Sequence, residues 1–167
     1  MGKKYELTEE TIEFYGRTLY RIKALKDFGD VEVGDLGGYI ESESNLIQEG
    51  CAWVYGDAMV YDNAMVYGDA MVYGDARVYG NAEVRCDADV RGDAEIKGKT
   101  DYIVFKNWWS SGRYFTWTRS NNMWKVGCFY GTGKELVEKA YKDSELSGRE
   151  YERVVKYVKS ILADEKK

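Results

Sequence analysis

A hexapeptide repeated seven times without a slip occupies the middle of the chain. In register, residues 54 to 95 read VYGDAM, VYDNAM, VYGDAM, VYGDAR, VYGNAE, VRCDAD and VRGDAE. Valine opens every unit and alanine stands four positions later, with a turn-forming pair, most often Gly-Asp, between them. Self-similarity at a fixed period indicates a repeat architecture, and it constrains the fold more than any other feature of this chain.

The period of six excludes a helix and favours short strands. Six residues advance an α-helix by about 600°, so the valines would spiral around it instead of sharing one face. Valine prefers strands, and a Gly-Asp pair in nearly every unit would break a helix. Gly, Asp and Asn tolerate the positive φ of a tight corner. We therefore expect short strands bent at regular corners, with valine inside and coils stacked at about the 4.8 Å strand spacing.

The V-Y-G-D-A-x unit resembles the hexapeptide repeat of left-handed parallel β-helices, in which three hexapeptides form one triangular coil. The resemblance implies the left-handed sense and columns in which Tyr55 stacks on Tyr73 and Tyr61 on Tyr79. The segment GDLGGYIESESNL is also similar to the lead-in of phage and prophage hexapeptide-repeat proteins. That second resemblance implies a phage-encoded source and names no activity.

The outward position that closes each repeat changes from apolar to charged along the solenoid. It holds Met59, Met65 and Met71 in the early coil and charged residues in the next coil. A contiguous apolar ring is not expected to face water. The ring predicts coverage by the chain's own flanks or by another protomer. We expect a homo-oligomer, and the resemblance implies a trimer.

The repeat lies between two different flanks, and we expect three domains. Residues 1–35 form an N-terminal cap of a helix and a strand. Residues 36–100 form the hexapeptide-repeat β-helix, with atypical units at its start, as terminal repeats commonly are. Residues 101–167 form a small α+β domain. The expected fold class is therefore mainly β, a left-handed parallel β-helix followed by a small α+β domain.

The elements of the flanks follow from local patterns. Residues 8–14 predict a short helix capped by Thr8, and residues 17–25 alternate as a strand does. In the last domain, DYIVFKN, GRYFTWTRS and MWKVGCFYG predict a three-stranded antiparallel sheet. Capping boxes that begin at Thr132 and Ser147 predict two helices behind this sheet.

Composition argues against several classes of function. The net charge is −5, with 24 basic and 29 acidic side chains mixed throughout, which argues against a nucleic-acid polymer or an anionic membrane as partner. The sequence has no apolar run of 18 residues, and its lysine-rich start lacks the apolar core of a signal peptide, so we expect a cytoplasmic protein without a membrane segment. Three widely spaced cysteines, no C-x-x-C and no histidine argue against a metal site.

The missing histidine bears on the activity as well. Hexapeptide-repeat β-helices are best known as acyltransferases, and the activity of that family depends on a histidine general base. This chain has no histidine, so the familiar reaction has no base, and we predict that the protein is not an enzyme. An enzyme of unfamiliar type that uses acids, Tyr or Lys stays open as an alternative.

Aromatic and basic side chains alternate in the last domain. The middle strand carries Arg113, Trp117 and Arg119 on one face, and Trp108 and Trp109 stand side by side at a strand end. Arginine interleaved with aromatic rings suits stacking on a flat base and pairing with phosphate. The alternative is an aromatic core, because a small sheet needs large side chains.

Lys134 is a further candidate at the start of the first predicted helix. The segment from Gly127 to Glu135 resembles a phosphate loop but fails the Walker pattern, which excludes an NTPase. A glycine-rich turn into a helix N-terminus still suits an anion. The capping box of Thr132 and Glu135 is the alternative, because it uses the same N–H groups.

These candidates lead to one function prediction and its alternative. We expect an oligomeric phage protein that captures a small phosphorylated, nucleotide-like ligand, such as a signal of bacterial immunity, with no cofactor and no catalytic residue. Its ligand-binding residues are predicted to be Trp108, Trp109, Arg113, Trp117, Arg119 and Lys134. The alternative is an adaptor whose β-helix oligomerises and whose aromatic domain binds another protein.

Overall fold

The computed structural model describes residues 2–167, which form a β-solenoid flanked by a hairpin on one side and a helix-backed sheet on the other. The chain is mainly β, with about three solenoid turns and two C-terminal helices. The predicted hexapeptide-repeat β-helix is confirmed in this form. Its left-handed sense stays an implication of the resemblance, and the division into three domains stays a prediction.

The solenoid strands pair in parallel with strands one coil away. They are Leu36–Ile40 (β3), Trp53–Val54 (β4), Met59–Val60 (β5), Met65–Val66 (β6), Met71–Val72 (β7), Arg77–Val78 (β8), Glu83–Val84 (β9), Asp89–Val90 (β10) and Glu95–Ile96 (β11). Three ladders result, β3-β5-β8-β11, β4-β7-β10 and β6-β9. Met59 pairs with Arg77 and Met65 with Glu83, so each complete coil takes three hexapeptides.

The valines and alanines of the repeat point inward, and the corners between strands have positive φ. Every repeat valine and alanine is buried in one continuous core. Glycine holds the corner at Gly56 and Gly68, with φ of 59° and 73°. Asp62 and Cys86 take the same corner with φ of 59° and 58°, a conformation that costs a non-glycine residue about 1–2 kcal/mol. The inward valines and the positive-φ corners are confirmed.

The predicted tyrosine columns are present on the outer faces. Tyr55 lies on Tyr73 with ring centroids 4.2 Å apart, and Tyr61 lies on Tyr79 at 5.2 Å. Both pairs are stacked, with interplanar angles of 5°. These columns confirm the register of three units per coil.

The N-terminal flank is an antiparallel hairpin, so the helix predicted for residues 8–14 is wrong. Strand β1 (Tyr5–Phe14) pairs with β2 (Arg17–Ala24), and β2 pairs with β3 of the solenoid. Tyr15 and Gly16 connect β1 to β2 with φ of 48° and 78°, as a two-residue type I′ turn requires. The strand predicted for residues 17–25 is confirmed.

The hairpin covers part of the outward apolar ring. Ile12 and Phe14 pack with Met59 and Tyr61 against the solenoid surface. Coverage by the chain's own flank is therefore confirmed on this face. Met65, on the neighbouring face, is 40% exposed, and the homotrimer stays a prediction.

A buried lysine helps to close the N-terminal end of the solenoid. Lys4 Nζ donates to the carbonyl oxygens of Ala52 at 2.8 Å and Glu49 at 3.4 Å. Lys4 has no exposed surface, and its ammonium lies 5.0 Å from the centroid of the Phe28 ring. Burial lowers the pKa of Lys4 from 10.5 to about 8, because the charged form is poorly solvated there.

We expect this lysine to make stability rise with pH between about pH 8 and pH 10. Below pH 8 Lys4 is charged in both states, and the folded state carries the whole cost of burial. Above pH 8 the folded state loses a proton that the unfolded chain keeps, so the free energy of unfolding increases. The window ends near pH 10 because burial raises the pKa of Tyr5, whose ionisation in the unfolded chain reverses the trend.

Urea denaturation of the wild type and Lys4→Met measures this effect. The free energy of unfolding of the wild type, minus that of Lys4→Met, should increase between pH 8 and pH 10. The matched variant Lys3→Met changes a neighbouring exposed lysine and should run parallel to the wild type. A constant difference between the wild type and Lys4→Met would refute the prediction.

The C-terminal sheet is antiparallel, as predicted, but it has four strands. They are Tyr102–Lys106 (β12), Tyr114–Thr118 (β13), Met123–Val126 (β14) and Phe129–Thr132 (β15), in the order β12-β13-β14-β15. The segment MWKVGCFYG, predicted as one strand, turns back at Gly127, which has φ of 53°. A positive-φ glycine followed by Cys128 gives the two-residue reversal between β14 and β15.

Two helices pack on one face of this sheet. Helix α1 (Gly133–Asp143) begins at the Thr132 capping box, which is confirmed. Helix α2 (Glu145–Asp164) is capped by Ser144, so the second cap predicted at Ser147 is wrong. Within the described residues, neither helix is long and apolar enough to cross a membrane.

The two faces of the sheet have different partners. Phe115, Trp117 and Trp124 form a buried cluster with the helices. On the solenoid side, Tyr102 and Val104 pack against the end of the solenoid core. The sheet thus covers the end of the last coil.

Candidate functional site

A cleft of about 320 Å³ opens between the last coils of the solenoid and the C-terminal sheet. The solenoid wall carries three acids and the sheet wall carries two bases and a phenol, namely Asp69, Asp87, Asp89, Arg113, Tyr114 and Lys125. Charges of both signs on facing walls suit proton transfer and ligand orientation. We therefore take this cleft as the candidate site.

Hydrogen bonds between the sheet and the last coil fix the two walls. Thr116 Oγ1 accepts from the backbone N–H of Asp89 at 3.0 Å. The Tyr130 hydroxyl donates to the carbonyl oxygen of Arg91 at 3.2 Å. The exposed edge of the last coil thus finds partners on the sheet, and the cleft lies between two rigid elements.

Asp89 is the acid placed deepest in the contact. Its Oδ1 accepts from Arg91 Nε at 3.1 Å, and Arg91 lies over the Tyr73 ring at 4.0 Å from the centroid. Among residues 2–167, no hydrogen-bond donor reaches its Oδ2. Burial raises the pKa of Asp89 above its ordinary value, although the charges of Arg91 and Lys125 oppose the rise. A carboxylate in this state is a stronger base than an exposed aspartate.

Lys125 approaches Asp89 from strand β14. Trp124, the preceding residue in the strand, faces the helices. Successive side chains of a strand point to opposite faces, so Lys125 points to the solenoid side. Lys125 is only 7% exposed. Burial lowers the pKa of Lys125, and Asp89 partly offsets that fall. The pair therefore brings a carboxylate with a raised pKa next to an ammonium with a lowered pKa, a combination typical of functional sites.

The structure separates the six residues predicted to bind the ligand. Trp117 is fully buried against the helices, and its Nε1 donates to Asn122 Oδ1 at 2.8 Å. Arg119 forms a bidentate ion pair with Glu165 and donates to the Thr100 carbonyl oxygen at 2.9 Å. Both residues serve the fold in these positions, and neither presents a free ring face or a free guanidinium.

The two adjacent tryptophans lie apart from the cleft. Trp108 is 70% exposed, and Trp109 packs edge-on against Tyr151 at 4.8 Å between ring centroids. Trp109 Nε1 is a buried donor without an acceptor among the described residues. The ligand-binding role of these tryptophans stays a prediction.

Lys134 lies at the exposed start of helix α1. Its Nζ is 3.9 Å from Glu138 Oε1, and the Thr132 capping box already uses the first N–H groups of the helix. Of the six predicted residues, Arg113 alone lines the cleft.

Sequence analysis missed Asp89 and Lys125 as site residues. Asp89 stands where earlier repeats carry methionine, and the sequence analysis noted the exchange from apolar to charged residues without predicting a site there. Lys125 interrupts an apolar strand, next to a buried tryptophan. A charge at an inward strand position is a signal that could have identified it.

Comparison with known proteins gives one named similarity. No model of a known protein family matches the chain. The chain is 39% identical over 61 residues to an uncharacterized acetyltransferase, YdcK, of Escherichia coli (strain K12). The matched part is 32% of this chain and 19% of the relative, so the chain spans about a fifth of that protein. The similarity supports the hexapeptide-repeat fold, and the phage source stays a prediction.

The prediction that the chain is not an enzyme is wrong on this finding, because the named relative is an acetyltransferase. The inference failed because it accepted histidine as the general base of the familiar reaction and gave too little weight to other bases, such as a carboxylate. A carboxylate whose pKa is raised by burial performs the same proton transfer. Asp89 has that property.

Proposed function

We propose that this protein is an acyl-transferring enzyme whose acceptor binds in the cleft between the last coils and the C-terminal sheet. Asp89 is its general base. The observation that carries the proposal is the state of Asp89, whose Oδ1 is held by Arg91 while Oδ2 has no donor within residues 2–167. The similarity to an acetyltransferase supports the reaction class.

The chemistry follows from this arrangement. Asp89 takes the proton of an acceptor hydroxyl or amine as that oxygen or nitrogen attacks the carbonyl carbon of a thioester. The tetrahedral intermediate collapses by breaking the carbon–sulfur bond, and the thiolate leaves and takes up a proton. Arg91 fixes the carboxylate for this step at 3.1 Å, and such positioning lowers the barrier because it is organised before the reaction.

The phosphorylated, nucleotide-like ligand predicted from the sequence fits this proposal as the donor. Coenzyme A, the common carrier of acetyl groups, is itself a phosphorylated nucleotide derivative. Capture of a bacterial immune signal and the adaptor role stay predictions without support from the cleft.

Thiol release from acetyl-coenzyme A tests the proposal. The purified protein is incubated with acetyl-coenzyme A and a panel of small amines, hydroxy acids and phosphorylated sugars, and free thiol is measured with a chromogenic disulfide. We expect release that depends on one class of acceptor and exceeds the rate without protein. No release with any acceptor, together with no heat on titration with coenzyme A, would contradict the proposal.

A further inference from the structure

The sheet wall of the cleft presents two cations without an anionic partner. Lys125 Nζ and the Arg113 guanidinium form no ion pair within 4.0 Å and no hydrogen bond with any residue from 2 to 167. For Arg113, which is exposed, this is ordinary. For Lys125, the residue as a whole is only 7% exposed, but its ammonium is not fully enclosed and lines the cleft, so the contents of the cleft solvate this charge.

The absence of a partner is not a consequence of missing acids nearby. Asp89 is close enough to influence the pKa of Lys125, but the two groups form no ion pair within 4.0 Å. Asp89 Oδ1 accepts from Arg91, and its Oδ2 has no donor among residues 2–167. The ammonium therefore opens toward the cleft that Lys125 and Arg113 both line. A ligand oxygen in the cleft would satisfy it with a charge-assisted hydrogen bond.

We propose that Lys125 and Arg113 form a subsite for one anionic group, a phosphate or a carboxylate, of the molecule that binds in the cleft. The inference deepens the proposed function and rests on it for the identity of that molecule as the acyl acceptor. The subsite itself rests on the two unpartnered cations.

The acids of the opposite wall limit the ligand to a single anionic group. Asp69 and Asp87 occupy the same corner of two consecutive coils at the exposed rim, and Asp89 lies deeper. The cleft lining therefore has three acidic side chains and two basic ones. A polyanion would meet like charges at the rim, whereas a small acid with one charged end reaches Lys125 without that repulsion.

Titration of ¹⁵N-labelled protein with inorganic phosphate or with acetate, followed by two-dimensional NMR at constant ionic strength, tests the subsite. We expect the amide signals of Asp89, Arg113 and Lys125 to shift together. A shift with phosphate alone assigns the group to a phosphoryl ligand, and a shift with acetate alone assigns it to a carboxylate. No shift of these signals with either anion would overturn the proposal.

Three variants complete the test. Lys125→Met keeps the unbranched apolar part of the side chain without its charge and should weaken binding at least about tenfold, as loss of a charge-assisted bond does. Arg113→Met should also weaken binding. Because Arg113 is exposed, this substitution should leave the fold intact. Lys134→Met removes the helix N-terminal lysine and should leave the affinity unchanged.

The outcomes separate the subsite from the proposed function. Shifts centred on Thr132 to Lys134, or equal affinity in the wild type, Lys125→Met and Arg113→Met, would overturn the subsite. If Lys125→Met fails to fold, which its spectrum reveals, Arg113→Met decides. Anion binding in the cleft, with no thiol release for any acceptor and no heat on titration with coenzyme A, would leave the subsite and refute the proposed function.

Discussion

We expect Val72→Asp to unfold the solenoid. Val72 lies in β7, the middle strand of its ladder, paired with Val54 on one side and Val90 on the other. It has no exposed surface. A lone carboxylate there has neither water nor a partner, and the cost of several kcal/mol is comparable with the whole stability of a small protein, about 5–15 kcal/mol.

The matched control is Asp75→Ala at the next corner. Asp75 is exposed, and among the described residues its carboxylate forms no ion pair or hydrogen bond. Its loss should cost about 1 kcal/mol or less, as surface changes do. Thermal unfolding followed by circular dichroism measures both variants. Equal loss of melting temperature would mean that the inward and outward positions of the repeat are assigned incorrectly.

The second large effect is expected in catalysis. Asp89→Asn keeps the size of the side chain and an oxygen that accepts from Arg91, but it removes the base. General-base catalysis contributes about 10²–10⁴-fold to a rate, so kcat for acyl transfer should fall by about that factor while KM changes little. Asp75→Asn, at a corner outside the cleft, should retain wild-type kcat.

This prediction depends on an acceptor found with the thiol-release assay. Circular dichroism should give superimposable spectra for the wild type and Asp89→Asn, because the backbone bond from Asp89 to Thr116 does not involve the substituted atoms. Wild-type kcat in Asp89→Asn would remove Asp89 from the mechanism.

The solenoid could be predicted from sequence because its information is local and repeated. Each hexapeptide carries its own strand, corner and core residue, so the seven repeats report the same structure independently. The first coil lacks this redundancy. Ile40 and Leu46 stack on Val60 and Val66, but the chain then takes extra residues before Val54, and a fixed period of six could not reveal them.

The N-terminal hairpin was missed because its strands are stabilised by distant contacts. Residues 8–14 carry acids and a cap-like threonine, which favour a helix locally. In the structure, Ile12 and Phe14 pack on the solenoid instead, and β2 pairs with β3. Tertiary packing overrides such weak local preferences. The Tyr15-Gly16 pair, which forms the two-residue turn, was the local indication of a hairpin.

The candidate site was predicted least well, because it lies between two parts of the chain. Asp89 comes from the solenoid and Lys125 from the sheet, and no local pattern in either segment shows that they meet. Aromatic–basic alternation instead selected Trp117 and Arg119, which stabilise the sheet and its last helix. Small sheets need large side chains for their own core, so such alternation is a weak indicator of a site.

The pH dependence of acyl transfer tests the central claim, that Asp89 is the base of this cleft, most directly. Because burial raises the pKa of Asp89, kcat of the wild type should rise with pH through a pKa above that of an ordinary aspartate and then reach a plateau. Asp89→Asn should lack this rise at every pH at which the protein is folded. An identical rise in the wild type and in Asp89→Asn would contradict the account.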